Sequence, residues 1–159
     1  MKKEDKTNAM RILDSVNAEY IAHGYETKEA LSGVEIAKRL GYDESVVFKT
    51  LVTVASSKKN YVFVIPSASE LDLKRAAASV GEKSVAMIRQ AELLPLTGYI
   101  HGGCSPIGMK KLFPTVVHIT AAEKERIIFS AGKIGRQVEM NVNELSKAIP
   151  FEFADVTRK

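Results

Sequence analysis

The sequence has few cysteines and few aromatic residues, which stabilise many small proteins through disulfides and large buried side chains. Its 159 residues include one cysteine and no tryptophan, and aromatic residues make up 7% of the chain. A single cysteine excludes an intramolecular disulfide and a zinc site built on several cysteines, which is typical of a reducing compartment. At this length neither a disulfide nor a structural metal is needed, because a domain of about 150 residues buries roughly 68–70% of the surface that its unfolded chain exposes. We expect one domain over residues 1–159.

Long hydrophobic runs are also missing. No apolar run approaches the ~20 residues of a membrane span, and residues 1–6 are mostly charged, unlike an apolar leader. We therefore expect a cytoplasmic protein without a membrane segment. The net charge of +4 favours the approach of a polyanion, but so mild an excess is common among proteins that bind none.

Motifs for metal or serine hydrolase chemistry are absent too. The three histidines, His23, His101 and His118, fall in separate predicted strands or at their ends, without the H-x-x-H or H-E-x-x-H spacing of a zinc hydrolase. No G-x-S-x-G elbow is present. We expect no metal and no cofactor. Ser105 as an acyl-enzyme nucleophile stays open as an alternative.

Helices and strands alternate along the chain without an internal repeat. Ser32-Gly33-Val34-Glu35 has the form of a capping box, apolar residues follow at helical spacing, and Gly41 marks the end of that helix. The patterns predict helices over 7–16, 32–41, 73–81 and 143–148. They predict strands over 20–25, 46–55, 61–65, 84–88, 99–101, 115–119, 126–130, 137–140 and 151–153. This order favours an α/β fold of the α+β type, with a mixed sheet curled around one core, over a doubly wound nucleotide-binding fold.

Lys49 is the first candidate functional residue. Side chains alternate along a strand, so Lys49 shares one face of the predicted strand with Val47 and Leu51. A solvated edge or a snorkelling stem explains most such lysines. The alternative is a point charge that holds a substrate oxygen.

The second candidate is the glycine-rich loop at 102–108. Gly102, Gly103 and Gly108 permit backbone conformations in which successive N–H groups converge on one oxygen, as in an oxyanion hole. Pro106 biases Ser105 towards an extended conformation. Most strings of this kind are simple turns, and this one is no P-loop because the Gly-Lys-Ser/Thr ending is missing.

Cys104 lies inside that loop and raises the question of a thiol nucleophile. Such a nucleophile needs a base or a cationic neighbour that lowers its pKa, and His101 is the only histidine nearby in the sequence. We expect Cys104 to line the loop as a small apolar side chain.

Two strings carry a resemblance to a known family. Phe48-Lys49-Thr50-Leu51 and the string from Thr97 to Lys111 (T-G-Y-x-x-G-G-x-S-P-x-G-x-K-K) resemble the YbaK family of aminoacyl-tRNA editing domains, which free-standing deacylases share with the insertion domain of bacterial prolyl-tRNA synthetases. The resemblance extends from Lys6 to about Asp155. It implies a mixed, barrel-like β-sheet surrounded by helices.

The resemblance also implies roles for individual residues. Lys49 would hold the acyl carbonyl, or the phosphate and ribose of the terminal adenosine. The implied catalytic residues are Lys49, Gly102, Gly103, Cys104, Ser105 and Pro106, and the implied substrate-binding residues are Tyr25, Thr50, Gly108, Ser130, Gly132, Lys133 and Gln137. Tyr25 is equally well explained as a strand-edge tyrosine with a solvated hydroxyl. Gln137 occupies the position where relatives often have an aspartate. Because an amide cannot act as an acid or base, the role implied for Gln137 is to position the substrate.

The function implied is deacylation of Cys-tRNA(Pro), in which the thiol of the mischarged cysteine attacks its own ester and releases a thiolactone. The partners implied are the aminoacylated 3′ end of a tRNA and prolyl-tRNA synthetase. Two alternatives remain: an Ala-tRNA(Pro) deacylase that uses water, and a non-catalytic module that binds nucleotides or RNA ends. The low aromatic content counts against the binding module, since such modules stack bases on aromatic side chains.

Overall fold

The computed structural model describes residues 6–158 and contains five α-helices and eight strands in that range. The helices are α1 (Asn8–Ser15), α2 (Gly33–Leu40), α3 (Leu73–Ser79), α4 (Gln90–Thr97) and α5 (Val142–Leu145). The strands are β1 (Ile21–Gly24), β2 (Phe48–Ala55), β3 (Asn60–Pro66), β4 (Val85–Met87), β5 (Thr115–His118), β6 (Ile127–Lys133), β7 (Arg136–Met140) and β8 (Glu152–Ala154). Short 3₁₀ turns cover Glu44–Val46 and Ile119–Glu123.

The strands form two sheets. One has the order β1-β7-β6 and the other β4-β2-β3-β5-β8. Pairing is antiparallel except for β3 with β5 and β5 with β8, so the predicted mixed α/β architecture is confirmed. The sheets meet at an isolated parallel bridge between Val47 and Ile128, and no strand pairing closes a full barrel within residues 6–158.

The segment that begins at Val47 contributes to every hydrophobic cluster of the core. Val47 packs with Ile36 of α2 and Ile128 of β6. Phe48 belongs to the largest cluster, where the two sheets and α1 meet. Leu51 packs against a third cluster beneath α3. Burial on both faces therefore fixes the first half of β2 in place.

The helix ends follow the sequence signals. The Ser32 hydroxyl accepts a hydrogen bond from the Glu35 N–H at 3.2 Å, and the Glu35 carboxylate accepts one from the Ser32 N–H at 3.0 Å. Gly41 ends α2 with φ of 81°, the left-handed region that glycine adopts without a steric penalty. The predicted capping box and stop of α2 are both confirmed.

The strand predicted over 99–101 is wrong, and α4 was not predicted. Pro95 lies inside α4, where a proline normally argues against a helix. Its missing N–H costs only one internal hydrogen bond in so short a helix, and the Lys110 ammonium donates to the Pro95 carbonyl at 3.4 Å. Gly98, with φ of 87°, ends the helix, and residues 99–101 continue as a loop.

One edge of β2 stays open where the site forms. β3 pairs with β2 from Phe48 to Val54, whereas the register of β4 on the other side covers only Thr53 to Ala55. Side chains from both faces of a strand can reach a space that adjoins its edge. The open edge thus lets neighbouring residues of β2 line one cleft.

Candidate functional site

A cleft of about 470 Å³ lies beside the open edge of β2. Its walls come from segments distant in sequence: the start of α2, the first half of β2, the glycine-rich loop, and the neighbouring strands β6 and β7. The polar side chains and loop residues on these walls include Lys49, Thr50, His101, Gly102, Cys104, Ser130 and Gln137.

Lys49 is half-buried in this cleft and has no counter-ion in contact. No hydrogen bond or ion pair joins its ammonium to any residue between 6 and 158. Burial lowers the pKa of Lys49 below its ordinary value, and attraction to Glu70 opposes that shift only in part. Glu70 itself contacts the Arg158 guanidinium at 3.2 Å. Even a half-buried cation without a partner loses part of its hydration, so its presence points to an anionic or strongly polar ligand.

Thr50 supplies a second unsatisfied group in the same wall. Its hydroxyl oxygen is buried and has no hydrogen-bond partner. Buried polar atoms in folded proteins nearly always have a partner, and the exceptions mark places where a water or ligand belongs. Lys49 and Thr50 are consecutive and lie on opposite faces of β2, and both line the cleft because the strand edge is open there.

The glycine-rich loop brings free backbone donors to the opposite wall. Gly102 has φ of 86°. A Cβ atom on it would lie 2.4 Å from the Cβ of Ala30. The Gly103 N–H is used, since it donates to the Ile100 carbonyl at 3.0 Å, whereas within the described range the N–H groups of Gly102 and Cys104 have no acceptor. Two unpaired donors therefore belong to residues that line the cleft.

The rest of the predicted loop residues lie behind this wall. Ser105 is fully buried, and its hydroxyl accepts a hydrogen bond from the Ile107 N–H at 3.3 Å. Pro106 and Gly108 line a separate hollow of about 130 Å³ that also includes Ile12 of α1. These residues shape the loop from outside the cleft.

Tyr99 holds the loop against the β6–β7 turn, a role that the sequence analysis did not assign. Its hydroxyl donates to the Ile107 carbonyl. Cβ atoms on Gly108 and Gly132 would each lie 2.8 Å from an atom of the Tyr99 ring or its hydroxyl. Burial raises the pKa of Tyr99 to about 12, so the phenol keeps its proton and stays a donor. The available signal was a tyrosine within a string of glycines, whose partners only the fold reveals.

Gln137 and Tyr25 form a polar pair at the far side of the cleft. The Gln137 side-chain amide donates to the Tyr25 hydroxyl at 3.2 Å, and Gln137 is 4% exposed. The Ser130 hydroxyl, also on this wall, accepts a hydrogen bond from the Gly132 N–H at 3.1 Å. Gly132 and Lys133 themselves lie at the end of β6, outside the cleft. The pair offers hydrogen bonds for positioning, and no carboxylate stands at this place.

The Cys104 thiol is badly placed for nucleophilic attack. Burial raises its pKa to about 12, so almost none of it is thiolate near neutral pH. His101 lines the same cleft but makes no hydrogen bond to Cys104. These findings support the prediction that Cys104 is a lining residue.

The remaining histidines are engaged elsewhere. His23 lies 2.7 Å from the Glu139 carboxylate, and the His118 ring accepts a hydrogen bond from the Val156 N–H at 3.2 Å. Across residues 6–158, no three histidine, cysteine or acidic side chains come close enough to hold a metal ion. In the same range no helix combines the length and apolar character that crossing a bilayer requires.

Comparison with known proteins identifies the family to which this chain belongs. The model of the family described as "Aminoacyl-tRNA editing domain" matches residues 27–148, which include every segment of the cleft walls. The chain belongs to this family. The cleft is therefore built from the region of the chain that matches the family model.

Individual relatives agree with this assignment. A protein of Enterococcus faecalis named "Putative Cys-tRNA(Pro)/Cys-tRNA(Cys) deacylase EbsC" is 42% identical over 159 residues, covering 99% of this chain and 97% of that protein. A proline–tRNA ligase of Shouchella clausii is 29% identical over 121 residues, which cover 76% of this chain and 21% of the ligase. A crystal structure described as "a putative trans-editing enzyme for prolyl tRNA synthetase" has the same fold, with a TM-score of 0.82, 19% identity, and coverage of 96% of this chain and 99% of that one.

The first prediction concerns Lys49. Lys49→Met keeps the length of the side chain and removes the charge, so deacylation should fall by about 10²-fold or more if the ammonium stabilises the reacting ester. Stability should be unchanged or slightly higher, because an unpaired half-buried charge is removed. Deacylation rates and thermal unfolding of the same preparations measure both effects.

Lys59→Met is the matched control, since Lys59 is exposed in the turn between β2 and β3. It should change neither activity nor stability. If a folded Lys49→Met protein keeps wild-type turnover, Lys49 does not contribute to the reaction.

The second prediction compares two glycines that both have a positive φ, 86° at Gly102 and 71° at Gly81. Gly102→Ala and Gly81→Ala both place a side chain at positive φ, but the added Cβ meets Ala30 at 2.4 Å in the first and open space in the second. Both should lose roughly 1–2 kcal/mol of stability from the left-handed conformation. Only Gly102→Ala should also displace the loop donors and lower kcat by about 10²-fold.

Equal kcat values for the two folded variants would show that the position of the Gly102 backbone does not matter to catalysis. Circular dichroism and unfolding curves of both variants separate this effect from the shared loss of stability.

Proposed function

We propose that this editing domain removes cysteine from mischarged tRNA(Pro), with the thiol of the substrate as the nucleophile. The observation that carries the proposal is the composition of the cleft. It offers an unpaired cation and free donors, while its only thiol is protonated. Such a site is suited to holding an ester and stabilising a developing oxyanion, and poorly suited to generating a nucleophile.

The choice of amino acid rests on chemistry and on the relatives. Cysteine and proline are similar in size, and binding alone separates such near-isosteres by only ~1–3 kcal/mol, so a second sieve after aminoacylation has a physical purpose. The Enterococcus faecalis relative carries Cys-tRNA(Pro) in its name, and the Shouchella clausii relative is a proline–tRNA ligase.

The proposed step is intramolecular. The sulfur of the cysteinyl group attacks its own ester carbonyl, a carbon–sulfur bond forms, the ester carbon–oxygen bond breaks, and the thiol proton ends on the ribose hydroxyl. The products are a thiolactone, which water then opens, and uncharged tRNA. Well-oriented intramolecular reactions reach effective molarities of about 10⁵–10⁸ M, so the protein need only hold the ester in the reactive geometry.

Each side chain of the cleft then has a positioning task. The Lys49 ammonium and the Thr50 hydroxyl hold the carbonyl or the ribose and phosphate of the terminal adenosine. The N–H groups of Gly102 and Cys104 bind the oxyanion as it forms. The pair of Gln137 and Tyr25 lies where it can hydrogen-bond the rest of the adenosine.

The proposed partner beyond the tRNA is prolyl-tRNA synthetase, the enzyme that mischarges tRNA(Pro) with cysteine. Support comes from the proline–tRNA ligase that resembles this chain over 121 residues, and from the neighbouring fold described as a trans-editing enzyme for that synthetase. The cytoplasm, where tRNA is charged, is the proposed location.

The third prediction tests the source of the nucleophile. Cys-tRNA(Pro) should be cleaved much faster than Ser-tRNA(Pro) or S-methylcysteinyl-tRNA(Pro), because only the free thiol can close the ring readily. The first product from Cys-tRNA(Pro) should be a thiolactone, which rapid quench and mass spectrometry detect. No acyl group should appear on Cys104 of the protein.

Rapid cleavage of the S-methyl ester in H₂¹⁸O, with the label appearing directly in a linear amino acid, would instead show attack by water and favour the alanine-editing alternative. A thioester trapped on Cys104 would also contradict the proposal. Tight binding of tRNA without any cleavage would leave only the RNA-end-binding module.

A further inference from the structure

A second concave surface lies outside the editing cleft and is rich in basic residues. This basic groove has a volume of about 510 Å³ and is lined by residues 25–28, Lys133, Ile134 and Arg136. Lys28, Lys133 and Arg136 are basic, and Glu26 is the one acidic residue among the seven that line it. The groove therefore carries a net positive charge.

The two lysines of the groove are free to bind a ligand. Lys28 and Lys133 are exposed, and the ammonium group of neither makes an ion pair or hydrogen bond within residues 6–158. By contrast, Lys6 contacts Asp14 at 2.5 Å and Lys147 contacts Glu144 at 2.9 Å, so the ammonium groups of these two lysines are already paired. A pair of uncompensated cations in one concavity attracts an anion more strongly than scattered surface lysines do.

The groove and the editing cleft adjoin at two contacts between their lining or neighbouring residues. Tyr25 lines the groove, and its hydroxyl accepts the hydrogen bond from Gln137, which lines the cleft. On the other side, a Cβ atom on Gly103 of the loop would lie 3.5 Å from the Cα of Lys133. The cleft and the groove are therefore adjacent on the protein.

A further cation and a rigid frame adjoin the groove. The Arg39 guanidinium lies 5.7 Å from the centre of the Tyr25 ring. The Tyr25 N–H donates to the Gly135 carbonyl at 3.0 Å, and a Cβ atom on Gly135 would lie 2.8 Å from the Tyr25 carbonyl oxygen. This close contact fixes the Tyr25 backbone against the β6–β7 turn, so Lys133 is presented from a constrained hairpin. A preformed groove binds without the entropic cost of ordering a loop.

We propose that the basic groove binds the phosphodiester backbone of the single-stranded 3′ end of the substrate tRNA, and leads its terminal aminoacyl ester into the cleft. This inference rests on the proposed function, since it takes the ester in the cleft as its starting point. Phosphate contacts by lysines position a nucleic acid without reading its sequence. The groove thus contributes affinity, and the cleft contributes selection of the amino acid.

The fourth prediction measures binding of uncharged tRNA(Pro) at 50–200 mM salt. Lys28→Ala should weaken binding roughly two- to fivefold, as expected for one exposed charge pair. It should also make the slope of log Kd against log salt shallower by about 0.7, the contribution of one phosphate contact on a single strand. Lys28→Arg, which keeps the charge, should restore both quantities, and Lys59→Ala in the β2–β3 turn should change neither.

A Lys28→Ala protein with wild-type affinity and an unchanged salt slope would overturn the groove as an RNA site. The function is tested separately with wild-type protein and 3′-O-cysteinyl-adenosine, an ester without phosphates. If wild-type protein cleaves that ester but Lys28→Ala leaves the salt slope unchanged, only the role of the groove is refuted. If wild-type protein does not cleave the ester but Lys28→Ala makes the slope shallower as predicted, only the proposed chemistry is refuted.

Discussion

The first half of β2 has to be buried on both faces and still carry a charged side chain into a cleft. Val47, Phe48 and Leu51 each pack into a different hydrophobic cluster, so this short segment ties the two sheets, α1, α2 and α3 together. This packing fixes the backbone at Lys49, whose ammonium has no counter-ion in contact within residues 6–158. The early end of β4 leaves the edge open, and the unsatisfied groups of Lys49 and Thr50 become available to a ligand.

The opposite wall depends on a contact between segments that are far apart in sequence. Tyr99 fits between Gly108 and Gly132, and Gly103 lies against Lys133, so the glycine-rich loop is held by the β6–β7 turn. The unpaired N–H groups of Gly102 and Cys104 therefore belong to a loop held in place, and these residues line the same cleft as Lys49. The reaction that we propose, in which the substrate supplies its own nucleophile, relies on orientation and electrostatic stabilisation, and an arrangement of this kind is suited to provide both.

Local signals in the sequence predicted much of the fold and part of the cleft. The Ser32 capping box and Gly41 predicted α2, and the strand alternation together with the family resemblance pointed to Lys49. The sequence analysis missed α4 because Pro95 argues against a helix unless the neighbouring loop supports it. It also did not separate Gly102, which lines the cleft, from Ser105, which is buried behind it, because that difference is set by contacts with distant residues such as Ala30.

The central claim is that this cleft edits cysteine from tRNA(Pro) by holding an ester whose own side chain reacts. The most direct test is a comparison of initial deacylation rates for Cys-tRNA(Pro), Ala-tRNA(Pro) and Pro-tRNA(Pro) with the same enzyme preparation. The account predicts rapid loss of cysteine, slow loss of alanine, and no cleavage of the correctly charged proline ester. Loss of alanine faster than cysteine, or cleavage of Pro-tRNA(Pro) at the rate of Cys-tRNA(Pro), would contradict it.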